Sequence, residues 1–170
     1  MRVRPVRTEE LDAVGELTVA AYVADGMDLA DSYVEVLADA TRRAGDADLL
    51  VAVVADDRLL GTVTVCEPGT PWAEVSRPGE LEFRMLAVTP AAQGRGVGER
   101  LIRAVVDRAD ERGVHRVVLS SSDYMYVAHR LYGRLGFTRL PCRDWQPVPG
   151  LQLLAFALEL DRLQSAGAGL

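Results

Sequence analysis

Residues 81–90, Leu-Glu-Phe-Arg-Met-Leu-Ala-Val-Thr-Pro, read as a strand. Residues 91–98, Ala-Ala-Gln-Gly-Arg-Gly-Val-Gly, read as a turn and a glycine-rich loop that opens directly into a helix over 97–112. Such a loop presents backbone N–H groups at a helix N-terminus, where the first turn lacks internal acceptors and the helix dipole favours negative charge. Gln93, Gly94, Arg95, Gly96, Val97 and Gly98 therefore form a candidate phosphate cradle. A dinucleotide fingerprint would need glycine where Glu99 stands, and it would need strands and helices alternating upstream. A Walker A loop would need lysine, and all 19 basic residues are Arg. A plain turn would use its glycines only for positive φ. Three glycines and an arginine opening a helix exceed that requirement.

Taken in order, residues 3–7 form a first strand that Pro5 restricts to an edge or an irregular segment. Thr8 is placed to cap a helix carrying Leu11, Val14, Leu17 and Ala21 at helical spacing, ended by Gly26. Ser32 to Glu35 matches a capping box for a second helix, with Tyr33, Val34, Leu37 and Ala40 on its inner face and Gly45 closing it. Residues 49–55 and 59–66 pair as a hairpin across Asp56-Asp57-Arg58. The 67–79 stretch, with three prolines and two glycines, is a long loop that Trp72 pins to the core or lends to a substrate. In the 81–90 strand, strict alternation puts Leu81, Phe83 and Met85 on one face and Glu80, Glu82, Arg84 and Leu86 on the other. A buried strand over 114–120 follows, then a helix capped by Asp123 with Ala128, Leu131, Tyr132 and Leu135 inward. Gly136 and Phe137 end it as a Schellman motif. A short strand over 137–140 and a last one over 151–160 complete the pattern.

Only the segment from 81 to 120 demands a parallel strand pair. The expectation is one α+β domain over 1–162, built on a mixed, mostly antiparallel six- to seven-stranded sheet flanked by helices on both faces, with a flexible tail over 163–170. The net charge of −6 argues against a basic nucleic-acid-binding face. Cys66 and Cys142 are unclustered, as are His115 and His129, so neither a disulfide framework nor a metal site is expected. The N-terminus has no apolar signal core, and the longest apolar run is too short to span a bilayer, which places the chain in the cytoplasm. Lysine and asparagine are absent and Ile102 is the sole isoleucine, a bias consistent with a GC-rich bacterial genome.

Two motifs in this order and spacing carry a resemblance. Leu86-Ala87-Val88-Thr89-Pro90 with Gln93-Gly94-Arg95-Gly96-Val97-Gly98, followed by Ala128-His129-Arg130-Leu131-Tyr132-Gly133-Arg134-Leu135-Gly136-Phe137, resembles the GCN5-related N-acetyltransferase (GNAT) superfamily. The resemblance covers nearly the whole chain. It implies acetyl-CoA as co-substrate, with its pyrophosphate on the N–H groups of residues 93–98. Its pantetheine arm would run along the backbone of Leu86, Ala87 and Val88, where a bulge splays the two central strands. It also implies direct acetyl transfer to a primary amine of a small molecule or peptide, without a metal.

Within that resemblance Tyr132 stands at the position of the frequent general acid, and its competing role is a core aromatic. Glu82 stands where some relatives keep a general base. Its competing role is a solvated strand carboxylate, and Glu80 is the alternative base. Met125 replaces an asparagine that many relatives direct at the cofactor. Cys66 as a nucleophile, with either histidine as its base, has no support in spacing, and a buried thiol is the better reading. The acceptor is expected to meet residues 11–44, the 67–79 loop, and residues 141–150, where Asp144 and Trp145 could meet an amine or anchor the loop. A non-catalytic acetyl-CoA-binding sensor would keep the loop but would need neither Tyr132 nor Glu82. Monomer and homodimer are both compatible with the chain.

Overall fold

The computed structural model of the chain describes residues 1–28 and 32–160; the tail expected over 163–170 lies outside them. Strand β1 (Arg2–Pro5) precedes helices α1 (Leu11–Ala24), α2 (Tyr33–Ala38) and α3 (Ala40–Asp46). Strands β2 (Asp48–Val53), β3 (Leu59–Cys66) and β4 (Glu80–Val88) follow, then helix α4 (Val97–Glu111) and strand β5 (Arg116–Ser122). Helix α5 (Tyr126–Arg134) leads to β6 (Thr138–Arg139), β7 (Trp145–Val148) and β8 (Leu151–Glu159). The sheet runs β1-β2-β3-β4-β5-β8-β6, with β7 also on β8. Among the described residues, only β4 and β5 pair in parallel.

The expected α+β architecture is present, but among the described residues the sheet has eight strands rather than six or seven. The addition is β7, which contains Pro147 and pairs with β8 alone. A short proline-bearing edge segment lacks the alternation that announces a strand. β2 shows how the sheet is covered on both faces. Leu50 and Ala52 join the main cluster with Leu101 and Val105 of α4, whereas Leu49, Val51 and Val53 pack with Val14 of α1 and Ala40 of α3. A continuous apolar run is what a doubly covered strand requires. In α4 the buried Val97, Leu101, Ile102, Val105 and Ala109 fall on one helical face. Burial of each larger member stabilises by about 1.5–3 kcal/mol.

The expected second helix is two helices. The chain breaks at Asp39, whose side chain accepts the Arg42 N–H at 2.9 Å and so caps α3. Ser32 makes no cap hydrogen bond, nor does Thr8, which lies in a 3-10 turn ahead of α1. A Cβ on Gly15 would lie 2.1 Å from the Ala38 carbonyl oxygen, so only glycine permits α1 and α2 to cross there. Arg43 is fully buried and ties the two short helices together, donating to the carbonyls of Val36 and Leu37 and to Thr18 Oγ1. At α5, Asp123 is not the cap; the position belongs to Met125. Its C-terminus is the expected Schellman motif: Phe137 N–H donates to the Tyr132 carbonyl, Gly136 N–H to that of Gly133, and Gly136 has φ +90°.

One irregularity in β4 positions everything functional. Its register with β3 passes from Thr62↔Ala87 to Thr64↔Arg84, two residues on one strand against three on the other. Met85 absorbs the extra residue at φ +51°, a left-handed conformation that costs a β-carbon residue on the order of 1 kcal/mol. The bulge reverses the strand's facing. Leu81 and Phe83 lie in the cluster beneath α4, with Leu86 and Val88 packed against it, while Met85 turns away to Leu37, Cys66 and Trp72. Strict alternation had placed Met85 with Leu81 and Phe83, and Leu86 opposite. Pairing with β5 is confined to Glu80↔Arg116, Leu81↔Val117 and Glu82↔Val118. Beyond Glu82 the two central strands splay.

Candidate active site

The splay opens a cavity of about 350 Å³. Phe83, Arg84, Met85 and Leu86 form one wall and Leu119 to Ser122 another, with Tyr132 and Met125 of the α5 region between them. Tyr22, Met27, Tyr33 and Val36 come from the first helices, Glu74 from the 67–79 loop, and Pro147, Val148, Leu151 and Leu153 from the last hairpin. The β5-facing edge of β4 from Phe83 to Val88 has no ladder partner among the described residues. Leu86 lines the opening, Ala87 pairs with Thr62 and packs on Leu17 and Ala21, and Val88 pairs with Gly61.

The glycine loop leaves the end of this strand. Gly94 and Gly96 have φ of +71° and +76°, and a Cβ at either would meet nothing within 4 Å, so their requirement is conformational. The Arg100 N–H donates to the Gly96 carbonyl at 3.1 Å. Val97, Gly98 and Glu99 thus supply first-turn N–H groups without a helical acceptor. Gly98 serves another purpose: a Cβ there would sit 3.1 Å from the Leu131 side chain, so glycine lets the loop-bearing helix close on α5. Leu131 is the neighbour of Tyr132, and the two sequence motifs meet at this contact.

Tyr132 is 5% exposed and ringed by Phe83, Phe137 and Phe156 at 6.1, 6.1 and 5.6 Å. It is both a core aromatic and a lining residue of the cavity. Burial pushes its phenol well above the ordinary 10.0, with a hydrogen bond to Ser121 opposing. The hydroxyl therefore stays protonated at neutral pH. Ser121 Oγ is also 3.2 Å from His129 Nε2, and burial holds that imidazole below its ordinary 6.5.

The two strand carboxylates occupy different surroundings. Glu82 is fully buried, and its Oε2 accepts the N–H groups of Glu74, Val75 and Ser76, each at 3.0 Å. Neither Glu82 nor Glu80 is among the cavity's lining residues. Glu80 is 3% exposed and held by Arg143 at 2.5 and 2.9 Å, Arg116 at 3.1 Å and the Arg77 N–H at 2.8 Å. Burial pushes its carboxyl up, but the Arg143 hydrogen bonds and the Arg77 and Arg116 contacts carry it below the ordinary 4.5. A depressed folded-state pKa contributes stability above the unfolded value, lost as pH falls through the folded one. The urea midpoint of Glu80→Gln should accordingly fall less steeply than that of the wild type on acidification below pH 4.5. Equal slopes in that window would remove Glu80 from the acid response.

The other candidates resolve into supports. Trp72 is buried and pins the 67–79 loop, its carbonyl accepting from Arg84 at 2.9 Å. Asp144 accepts the Ala155 N–H at 2.7 Å and pairs with Arg139, while Trp145 packs on the cluster of Val75, Val118 and Ala157. Cys66 is buried, and its thiol is pushed up to about 12 by burial, then by the Glu82 charge, so it is no thiolate. No group of three or more His, Cys, Asp or Glu among the described residues could hold a metal, and no described helix is long and apolar enough to cross a membrane. Arg84 was named from the sequence only as a strand-face residue, and His129 only as an unclustered histidine whose spacing gave no support to a base role. Ser121 and Glu74 were not singled out, and their only signals are a serine run at a strand end and a carboxylate in a proline-rich loop.

A model of the acetyltransferase (GNAT) family matches residues 11–137. A mycothiol acetyltransferase of Arthrobacter sp. is 38% identical over 94 residues, 55% of this chain and 28% of that protein. The chain thus spans little more than a quarter of that relative's length. N-alpha-acetyltransferase RimI of Mycobacterium tuberculosis is 39% identical over 66 residues, 39% of this chain and 40% of that protein. Among solved structures, yncA from Salmonella typhimurium with its cofactor acetyl-CoA superposes at a TM-score of 0.67 and 23% identity, covering 99% of both chains. At that identity the likeness concerns the fold. With its family model spanning residues 11–137 and both motifs meeting at the splayed strands, the chain belongs to the acetyltransferase (GNAT) family.

Proposed function

We propose that the chain is an N-acetyltransferase that moves an acetyl group from acetyl-CoA directly to a primary amine of a small molecule or peptide. The observation that carries this reading is the junction of three parts: the splayed β4 edge, the glycine loop leaving it, and Tyr132 at the cavity between β4 and β5. The residues fit acetyl-CoA. The loop N–H groups of residues 93–98 suit a pyrophosphate. The unpaired edge at Leu86, Ala87 and Val88 offers backbone partners to an amide-bearing arm, as an added strand would use them. Acetyl-CoA supplies the acyl group as a thioester.

The chain's own residues then have distinct tasks. The β4 backbone orients the reacting carbonyl and gives an N–H for charge developing on its oxygen. Tyr132, kept neutral by burial and oriented through Ser121, offers a proton at its hydroxyl to the departing sulfur. Glu82 holds the 67–79 loop against the cavity, and Glu80 locks the start of β4 to Arg116 and Arg143. Both act by positioning.

The test is release of CoA thiol over a panel of amino acids, polyamines, aminoglycosides and peptide N-termini. Turnover with one class supports the reading. Tight acetyl-CoA binding with no turnover on any amine would instead make the chain a sensor or interaction module. The loop's share is tested by Gly96→Val, which forces a β-branched residue to φ +76° and should weaken acetyl-CoA binding about tenfold or more by calorimetry. Unchanged affinity would remove the loop from the cofactor site.

A further inference from the structure

Among the described residues, one carboxylate lines the cavity. Glu74 turns its carboxylate inward to 23% exposure and pairs through Oε1 with Arg84 Nη2 at 2.6 Å. Its Oε2 has no hydrogen-bond or ion-pair partner among the described residues. The loop that carries it is clamped by Glu82, which takes the Glu74 backbone N–H itself. Arg84 is divided among Glu74, the Trp72 carbonyl at 2.9 Å and the Tyr33 hydroxyl at 3.2 Å. The titratable and charged groups around Glu74 are Arg84 and Glu82 of β4, Tyr33 of α2 and Cys66 of β3. One cation therefore faces two carboxylates, and Tyr22, Met27 and Val36 add apolar and aromatic wall.

We propose that Glu74 is the carboxylate that binds the acceptor and acts as its general base. Oε2 accepts a hydrogen bond from the ammonium of a monocationic primary amine, whose apolar substituent packs on Tyr22, Met27 and Val36. One N–H bond of the ammonium then breaks. Its electron pair stays on nitrogen and the proton bonds to Oε2, leaving a neutral amine and a neutral carboxylic acid. Burial, with the Glu82 charge adding and Arg84 opposing, pushes the Glu74 carboxyl above its ordinary 4.5, in the direction that makes a better base near neutrality. Among the described residues the cavity lining holds no carboxylate besides Glu74, so the second ammonium of a polyamine would lack an anionic partner there, and a buried unpaired charge is costly. The base role rests on the acetyl-transfer reading; the binding role does not.

The experiment uses the full chain with 2-phenylethylamine and its uncharged isostere 2-phenylethanol, binding being followed by NMR shifts of the cavity residues. The wild type should prefer the amine about tenfold or more, and E74Q should lose the preference while keeping its thermal midpoint and its acetyl-CoA affinity within about twofold. With the best amine of the panel, E74Q should lower kcat about 10²-fold and lose the acid limb of the pH–rate profile. If E74Q does not fold, the ¹³C titration of the wild-type Glu74 carboxyl reads the same contact, because it must shift when the amine is added. Equal binding of amine and alcohol by the wild type, or an amine preference undiminished in E74Q, overturns the proposal. An acid limb that survives in E74Q overturns the base role. Glu74-dependent amine binding without turnover on any amine leaves the amine site standing and defeats the acetyl-transfer reading.

Discussion

Tyr132→Phe should lower kcat about 10²-fold while leaving acetyl-CoA affinity within about twofold, since a positioned proton donor contributes about 10²–10⁴. Phenylalanine keeps the ring that packs on Phe83, Phe137 and Phe156, so the helix and the Schellman turn at Gly136 and Phe137 should hold their places. What is lost is one hydroxyl, its hydrogen bond to Ser121 and its proton. Because burial holds the phenol above its ordinary 10.0, it is fully protonated throughout the range in which the protein can be assayed. The pH–rate profile of the wild type should therefore show no limb assignable to Tyr132, and the Phe variant should reproduce its shape at lower amplitude. CoA-thiol release against pH measures both quantities. An undiminished kcat would confine Tyr132 to its packing role, which the three ring contacts already justify.

Tyr132 also illustrates how much of the site could be read from sequence. A tyrosine on the inner stripe of an amphipathic helix is a core residue by periodicity alone, and it is one here at 5% exposure. Its presence at the cavity depends on the splay of β4 from β5, which depends on Met85. A bulge is a count of residues between two strands, so Thr62 and Thr64 on β3 decide it as much as β4 does. No local pattern in residues 81–90 marks it, and the alternation argument failed at that residue. The glycine loop and α4 were legible because their signals are local: positive-φ positions and a 3.6-residue stripe. The same holds for Gly136 at the end of α5. The 67–79 loop shows the opposite case. Its existence was legible from proline and glycine, but its conformation is set by a carboxylate on the neighbouring strand. Glu74 therefore carried no sequence signal as a lining residue, and Glu82 carried one as a base although its Oε2 serves the loop.

Removal of that carboxylate is the larger structural perturbation. Glu82→Ala would strip the acceptor from three consecutive N–H groups and leave a void in a fully buried position. Each buried donor left unsatisfied costs about 1–3 kcal/mol, offset in part because Glu74 and Ser76 lie near enough to solvent to recruit water. The expected loss is about 2–4 kcal/mol, read as a lower urea midpoint at unchanged slope. Glu82→Gln keeps an oxygen where Oε2 stands and should cost about 1 kcal/mol or less, since only the charge assistance of those bonds is given up. The pair separates positioning from proton transfer. If Glu82 acts through the loop, the Gln variant retains most of its kcat and the full shape of its pH–rate profile, whereas the Ala variant loses acceptor binding as Glu74 leaves the cavity. If Glu82 is itself the base, both variants lose the acid limb, and the Gln variant does so with its stability nearly intact. The loop geometry favours the first outcome, because Oε2 is taken by three N–H donors and the remaining Oε1 is fully buried and outside the cavity lining, where an amine does not reach it.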